Sequence, residues 1–220
     1  MLIPYSICAT IIRLIHEEAP KKLIHVGAHT GEEAGVYAEW GIEEAIWFES
    51  NPDCLPELYE TLSTSTMRNQ VVEFGLWDSN TTRTFYKTTN VQSSSFFDLE
   101  KHKEHYPGIH VKETLQLPLF RFDDVVREDK GILFGDCDFL VIDTQGAELA
   151  ILRGFGAHLE APSLKGIFVE ANYEPMYSGI PMIDEIDAFL TPKGFSRIVT
   201  QWTNEGWGDA FYLKHAVRRG

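Results

Sequence analysis

The sequence predicts a doubly wound α/β fold: a mostly parallel sheet with helices on both faces. Three observations predict it. Short apolar runs alternate with helical stretches along the chain, the β-α-β-α rhythm of a parallel sheet. Several of those runs end in a glycine or a carboxylate, at Gly27, Glu49, Asp143 and Glu170, and open α/β sheets hold their ligands at such strand ends. Finally, 220 residues with 44% hydrophobic composition suffice for one layered core.

The elements follow in order. Ile3, Ile7, Ile11 and Ile15 recur every four residues, which predicts one apolar face of a helix within residues 1–20. No basic n-region precedes them, so a signal peptide is the weaker reading. Residues 23–26 read as the first strand, 32–40 as a helix, 45–48 as the second strand, 56–62 as a helix and 71–74 as the third strand. Strands four and five fall at 139–142 and 167–169, each led by polar residues. Residues 184–190 read as a helix stopped by Gly194, and 196–202 with 210–213 as a closing antiparallel pair.

Between the third and fourth strands the pattern breaks. Residues 82–87 alternate like a strand, 88–107 read as a polar surface loop with a short helix, and 115–122 are expected to return the chain to the sheet. An insertion this long is more often functional than idle, so a lid over about 82–122 is expected. No internal repeat or low-complexity tract divides the chain, and one domain over 1–220 is expected.

Charge and cysteine content narrow the function. The formal net charge is −14, with 33 acidic against 19 basic residues. Nucleic-acid affinity comes largely from cations that displace counterions, so nucleic acid is not the expected partner. A small neutral acceptor, or one presented by another protein, fits better. Cys8, Cys54 and Cys137 are scattered and form no CxxC pair, which reads as three reduced thiols of a cytoplasmic protein. No stretch approaches the ~20 apolar residues of a membrane span.

Two segments carry chemistry. In residues 23–41 a strand runs into Gly27, a tight turn follows, and Gly31 opens a helix. Glycine there lets backbone approach a ligand closely. The spacing Gly27-Ala28-His29-Thr30-Gly31 departs from the GxGxxG dinucleotide fingerprint, which argues against a nicotinamide cofactor. An ordinary tight turn is the competing reading. The second strand ends in Glu49, 22 residues after Gly27, and a carboxylate there can accept from both hydroxyls of a ribose. The plain alternative is a surface glutamate.

With these segments in view, the chain resembles the FkbM family of S-adenosylmethionine-dependent methyltransferases. The matching pieces are Val26-Gly-Ala-His-Thr-Gly31, Phe48-Glu-Ser-Asn-Pro52, Gly75-Leu-Trp-Asp78 and Ser93-Ser-Ser-Phe96, then Leu140-Val-Ile-Asp-Thr-Gln-Gly-Ala-Glu-Leu149 and Phe168-Val-Glu170. They stand in the family's order over roughly 23–214. Thr144 and Gln145 depart from the usual Asp-Val-Glu-Gly-Ala-Glu, and Phe122 replaces the usual Leu of a Leu-Asp-Asp step before Asp123 and Asp124. The resemblance implies a class I methyltransferase fold, a Rossmann-like sheet of seven strands in the order 3-2-1-4-5-7-6 with the last antiparallel. It implies S-adenosyl-L-methionine as cofactor. The Gly27–Gly31 turn would face its methionine end, Glu49 its ribose with Ser50 and Asn51 beside it, and Asp78 its adenine, with Leu76 or Trp77 against the ring. Core packing is the equal alternative for Trp77.

The resemblance further implies O-methylation of a hydroxyl on a sugar, glycan or secondary metabolite. An alcohol acceptor must lose a proton, and a positioned base typically adds about 10²–10⁴-fold. Asp143, Glu148, Glu170 and His29 are the candidates, with His29 alternatively a loop spacer and Glu148 a first-turn helix acid. Carboxylates on one rim raise each other's pKa or attract a cation, yet no compact ligand pattern demands a metal. Ser94 and Ser95 are expected in the lid, and Ser94, Ser95, Gln145 and Glu170 are expected to bind the acceptor. His102, His105 and His110 read as a solvated helix face. A catalytically degenerate cofactor- or partner-binding module is the alternative function. The apolar N-terminal helix can pack on a second copy, giving a homo-oligomer, or on its own sheet.

Overall fold

The computed structural model describes residues 1–128, 131–133 and 135–216. Its main sheet has seven strands: β1 (Lys22–Val26), β2 (Glu44–Phe48), β3 (Arg68–Val72), β7 (Phe139–Ile142), β8 (Gly166–Asn172), β9 (Phe195–Trp202) and β10 (Trp207–Lys214). Their spatial order is β3-β2-β1-β7-β8-β10-β9. Counted within this sheet, that is 3-2-1-4-5-7-6. The pairs among β3, β2, β1, β7 and β8 are parallel, and β10 runs antiparallel to both neighbours. This is the class I methyltransferase architecture that the family resemblance implied.

Side-chain alternation builds the two layers. Leu23, Ala45, Trp47, Phe139 and Val141 pack with α1 (Tyr5–His16), α2 (Ala34–Glu39) and α3 (Leu55–Ser63) on one face. Ile24, Val26, Ile46, Phe48, Leu140 and Ile142 face α5 (Phe122–Arg127), α6 (Glu148–Phe155) and α7 (Ile183–Leu190). The period of two fixes which residues face which helices. β7 is buried at every position, as a central parallel strand covered on both sides must be.

Three expectations are corrected. First, residues 115–122 do not return to the main sheet. Val111–Phe120 forms β6 of a second, three-stranded sheet in the order β4-β6-β5, with β4 at Gly75–Leu76 and β5 at Thr81–Thr88. β5 and β6 form an antiparallel ribbon from Thr81↔Leu119 to Thr88↔Val111, so the alternation in 115–120 belongs to a ribbon. Second, the third strand is Arg68–Val72 rather than 71–74. Its register against β2 begins at Glu44↔Arg68, among polar residues that an apolar run cannot flag. Third, the buried stripe of α1 is Tyr5, Cys8, Ala9 and Ile12. Ile7 and Ile15 are exposed, because a strict four-residue repeat drifts off a face of 3.6-residue period.

The insertion is more structured than a polar loop. It holds a single 3₁₀ turn at Val91–Ser93 and the short helix α4 (His102–His105). Bridges Tyr86↔Ser95 and Leu99↔Tyr177 stitch it to β5 and to the segment after β8. Leu99, Met176, Tyr177 and Ile180 form a small core of their own there.

Candidate active site

The carboxyl ends of β1, β2, β7 and β8 open into a cavity of about 450 Å³ that the insertion overhangs. Its floor begins at the first turn. The amides of Gly27 and Ala28 donate to the Phe48 carbonyl at 2.9 and 3.1 Å, and the Asp143 amide donates to the Val26 carbonyl at 3.0 Å. These bonds tie the ends of three strands together. Gly27 has φ +84°, and a Cβ built on it would lie 1.8 Å from the Asp143 carbonyl oxygen. Only glycine fits so close a crossing.

Glu49 braces this turn from below. It is buried and accepts from the His29 amide at 2.7 Å and the Asn51 amide at 2.6 Å. Burial raises its pKa, and those amides oppose the rise. His29 has φ +48° and its Nδ1 lies 2.7 Å from Glu32 Oε1. Gly27, Ala28, His29, Glu49, Ser50 and Asn51 all line the cavity. Thr30 and Gly31 do not, because the chain has already turned toward α2, which starts at Ala34.

On the far rim, acids and amides interlock. The Gln145 amide donates to Glu170 Oε2 at 2.6 Å and reaches Asp143 Oδ1 at 3.4 Å. Its own carbonyl oxygen, Oε1, accepts from the Tyr177 hydroxyl at 2.7 Å. Gln145 has φ +56°, a left-handed conformation rare for a residue with a Cβ, and the Ser95 hydroxyl holds its main-chain carbonyl at 2.7 Å. Burial raises the carboxyls of both Asp143 and Glu170, and Asp143 and Glu148 push Glu170 further up.

Asp143, Gln145, Glu170 and Ser94 line the cavity. Glu148 lies behind this rim: it is buried, and its Oε1 accepts from the Thr144 amide and hydroxyl and the Gly146 amide at 3.0, 2.9 and 3.2 Å. Burial pushes it up to about 7. Ser95 likewise supports Gln145 rather than facing the cavity.

Trp77 and Asp78 fall outside the lining, which takes Gly75 and Leu76 instead. Trp77 packs against Phe96 and Phe97, with the Arg83 guanidinium 4.4 Å over its ring. Its carbonyl oxygen would lie 1.9 Å from a Cβ on Gly154 of α6. Asp78 accepts from the Ser79 hydroxyl at 2.9 Å, and its carbonyl accepts from Arg121 at 2.7 Å.

Several lining residues escaped the sequence reading. His102, Tyr106, Tyr177, Trp207 and Asp209 come from the insertion, the segment after β8, and β10. His102 is buried against Tyr106 and Tyr177, at ring distances of 4.8 and 5.4 Å, which corrects the solvated-face reading for that residue. Asp209 pairs across the sheet with Glu170 and holds the amides of Leu2 and Ile3. Burial pushes its carboxyl up to about 6. A lone acid inside the apolar run 207–213 was the available signal.

Among the described residues no group of three or more His, Cys, Asp or Glu could hold a metal ion. Cys8, Cys54 and Cys137 are free and buried. No described helix is long and apolar enough to cross a membrane.

Comparison with known proteins places the fold. The chain is similar to a ribosomal protein L11 methylase from Lactobacillus delbrueckii subsp. bulgaricus, with TM-score 0.50 and 11% identity over 94% of this chain and 79% of that one. It is also similar to the TrmK protein of M. capricolum in complex with S-adenosyl-homocysteine, with TM-score 0.50 and 8% identity over 93% and 67%. No curated protein matches the sequence. The model of the methyltransferase FkbM domain matches residues 25–197, most of the chain, and the protein belongs to that family.

Proposed function

We propose that this protein is an S-adenosylmethionine-dependent O-methyltransferase acting on a hydroxyl of a small molecule, a sugar, glycan or secondary metabolite. One observation carries the reading: a cavity of about 450 Å³ at the strand ends, with the Gly27 cradle and Glu49 at one side and the Asp143–Glu170 pair at the other. The volume lies within the range of small-molecule sites. The residues present fit the cofactor: a turn closed to any side chain at Gly27, and a buried carboxylate at the end of β2 where a ribose is held in such folds. When bound, the cofactor supplies an electrophilic methyl group on a sulfonium.

The chain's own residues do the remainder. Glu49, with Ser50 and Asn51, binds and orients the cofactor. The insertion, with Ser94 and Tyr177, covers the acceptor and excludes water. Holding an acceptor in line is worth roughly 7–11 kcal/mol of barrier. The Asp143–Glu170 pair receives the hydroxyl proton, and Gln145 keeps the two carboxyls at fixed separation. His29, tied to Glu32, orients the turn. Glu148 acts behind the rim by fixing the 144–146 turn. Nucleic acid is a poor acceptor for this cavity, since no lysine or arginine is among its described lining residues.

Calorimetric titration tests the reading. S-adenosylmethionine should bind, NAD should not, and Glu49→Ala should weaken the former by about 1–3 kcal/mol, the range for unpaired buried polar groups. Binding of NAD alone, or no change in Glu49→Ala, would overturn it.

A further inference from the structure

We propose that the acceptor is a hydroxylated ring bearing a protonated amine, an amino sugar or aminocyclitol, anchored through its ammonium and methylated on oxygen. This rests on the methyltransferase reading and names its substrate class. The first observation is charge. Glu49, Asp143, Glu170 and Asp209 line the cavity, and no lysine or arginine is among its described lining residues. The nearby basic side chains of the insertion are committed elsewhere: Lys87 to Asp53 and Glu113 at 2.6 and 3.0 Å, Lys101 to Glu174 at 2.9 Å, Arg83 to the Trp77 ring. S-adenosylmethionine brings one net positive charge and the Met1 ammonium, which acts on Asp143 and Asp209, brings another, but the lining carboxyls Glu32, Glu33, Glu49, Asp143, Glu170 and Asp209 outnumber them. Anionic acceptors meet repulsion there and a cation meets attraction.

The second observation is the aromatic lining beside those acids. Tyr106, Tyr177 and Trp207 form it, with the Trp207 indole donating to the Tyr106 hydroxyl at 3.1 Å. Aromatic faces attract an ammonium and accept the apolar face of a ring. His102 also lines the cavity and is 4% exposed, with its ring against Tyr106 and Tyr177 and its Nδ1 buried without a hydrogen-bond partner. Burial lowers its pKa, so it adds no opposing charge. Acids interleaved with aromatic faces match an amine-bearing polyol.

The methyl group passes from sulfur to the acceptor oxygen, the carbon–sulfur bond breaks as the carbon–oxygen bond forms, and the hydroxyl proton goes to Asp143 while Glu170 stays on the ammonium. The amine, protonated, has no lone pair to compete.

Titration of the protein saturated with S-adenosylhomocysteine decides this, using methyl glycosides that differ at one position only (amino, hydroxyl or carboxylate) together with an aminocyclitol. An amino member should bind about tenfold or more tighter than its hydroxyl counterpart, weaken with added salt, and exceed the carboxylate member further. Glu170→Gln should bring amino and hydroxyl members to within about twofold while S-adenosylhomocysteine affinity stays intact. Turnover should yield an O-methyl product with its primary amine free. Equal or better binding of hydroxyl or carboxylate members, a preference that survives Glu170→Gln, an N-methyl product, or no binding by any member to the saturated protein would each overturn the proposal. Failure of S-adenosylhomocysteine itself to bind would instead overturn the methyltransferase reading beneath it.

Discussion

Replacing Glu148 by glutamine should make the protein more stable at alkaline pH. Glu148 is buried, and all three of its hydrogen-bond donors, the Thr144 amide and hydroxyl and the Gly146 amide, converge on Oε1. An amide oxygen can keep those bonds while the charge is removed. Burial pushes the carboxyl from 4.5 to about 7 in the folded protein, so the folded chain binds this proton more tightly than the unfolded one. The associated stability is therefore present below the unfolded value and is lost as pH rises through about 7. The span corresponds to roughly 3 kcal/mol at the alkaline limit. Asp143, Glu170 and Asp209 are raised in the same sense, so the discriminating quantity is the difference between the two proteins. Urea unfolding at about pH 5 and about pH 8 measures it. The advantage of the variant should grow by roughly 2.5 kcal/mol between the two conditions. Parallel pH profiles, or a variant that loses stability equally at both, would refute burial as the source of the raised pKa.

Three further outcomes are expected. Gly27→Ala forces a Cβ to within 1.8 Å of the Asp143 carbonyl at φ +84°, and should lower stability by about 2 kcal/mol or more and abolish cofactor binding; thermal unfolding at the wild-type midpoint would contradict this. Asp143→Asn should depress turnover more than cofactor affinity, read from kcat and calorimetry in parallel; the reverse pattern would make Asp143 a cofactor ligand. Gln145→Glu replaces an amide donor 2.6 Å from Glu170 with a carboxylate. It should be nearly neutral in acid and destabilise by about 1–3 kcal/mol as pH rises and both groups ionise, and a pH-independent effect would show that the amide bridges nothing.

Legibility tracked the range of the interaction. The strand-end residues Gly27, Glu49, Asp143 and Glu170 could be read because each closes a short apolar run, and a parallel sheet then gathers those ends on one rim. The strand order itself came with the family resemblance. The insertion was placed in the right interval, but its ribbon was misassigned, since alternation over 115–120 does not say which strand it pairs with. Only long-range register could reveal that Leu119 faces Thr81 and Gly75.

The same division holds at the site. The sequence by itself determined the fold class, the glycine turn and the acids that end the strands, because local period and local sterics set these. Tertiary structure decided which groups meet. It joined Gln145 to Glu170 and Tyr177, set Asp209 opposite Glu170, withdrew Glu148 behind the rim, and brought His102, Tyr106 and Trp207 to the cavity wall. Gln145 lies 25 and 32 positions from Glu170 and Tyr177, and Tyr106 lies 101 from Trp207. Their meeting depends on antiparallel pairing and on how the insertion folds over the sheet, which no pattern within a single segment encodes.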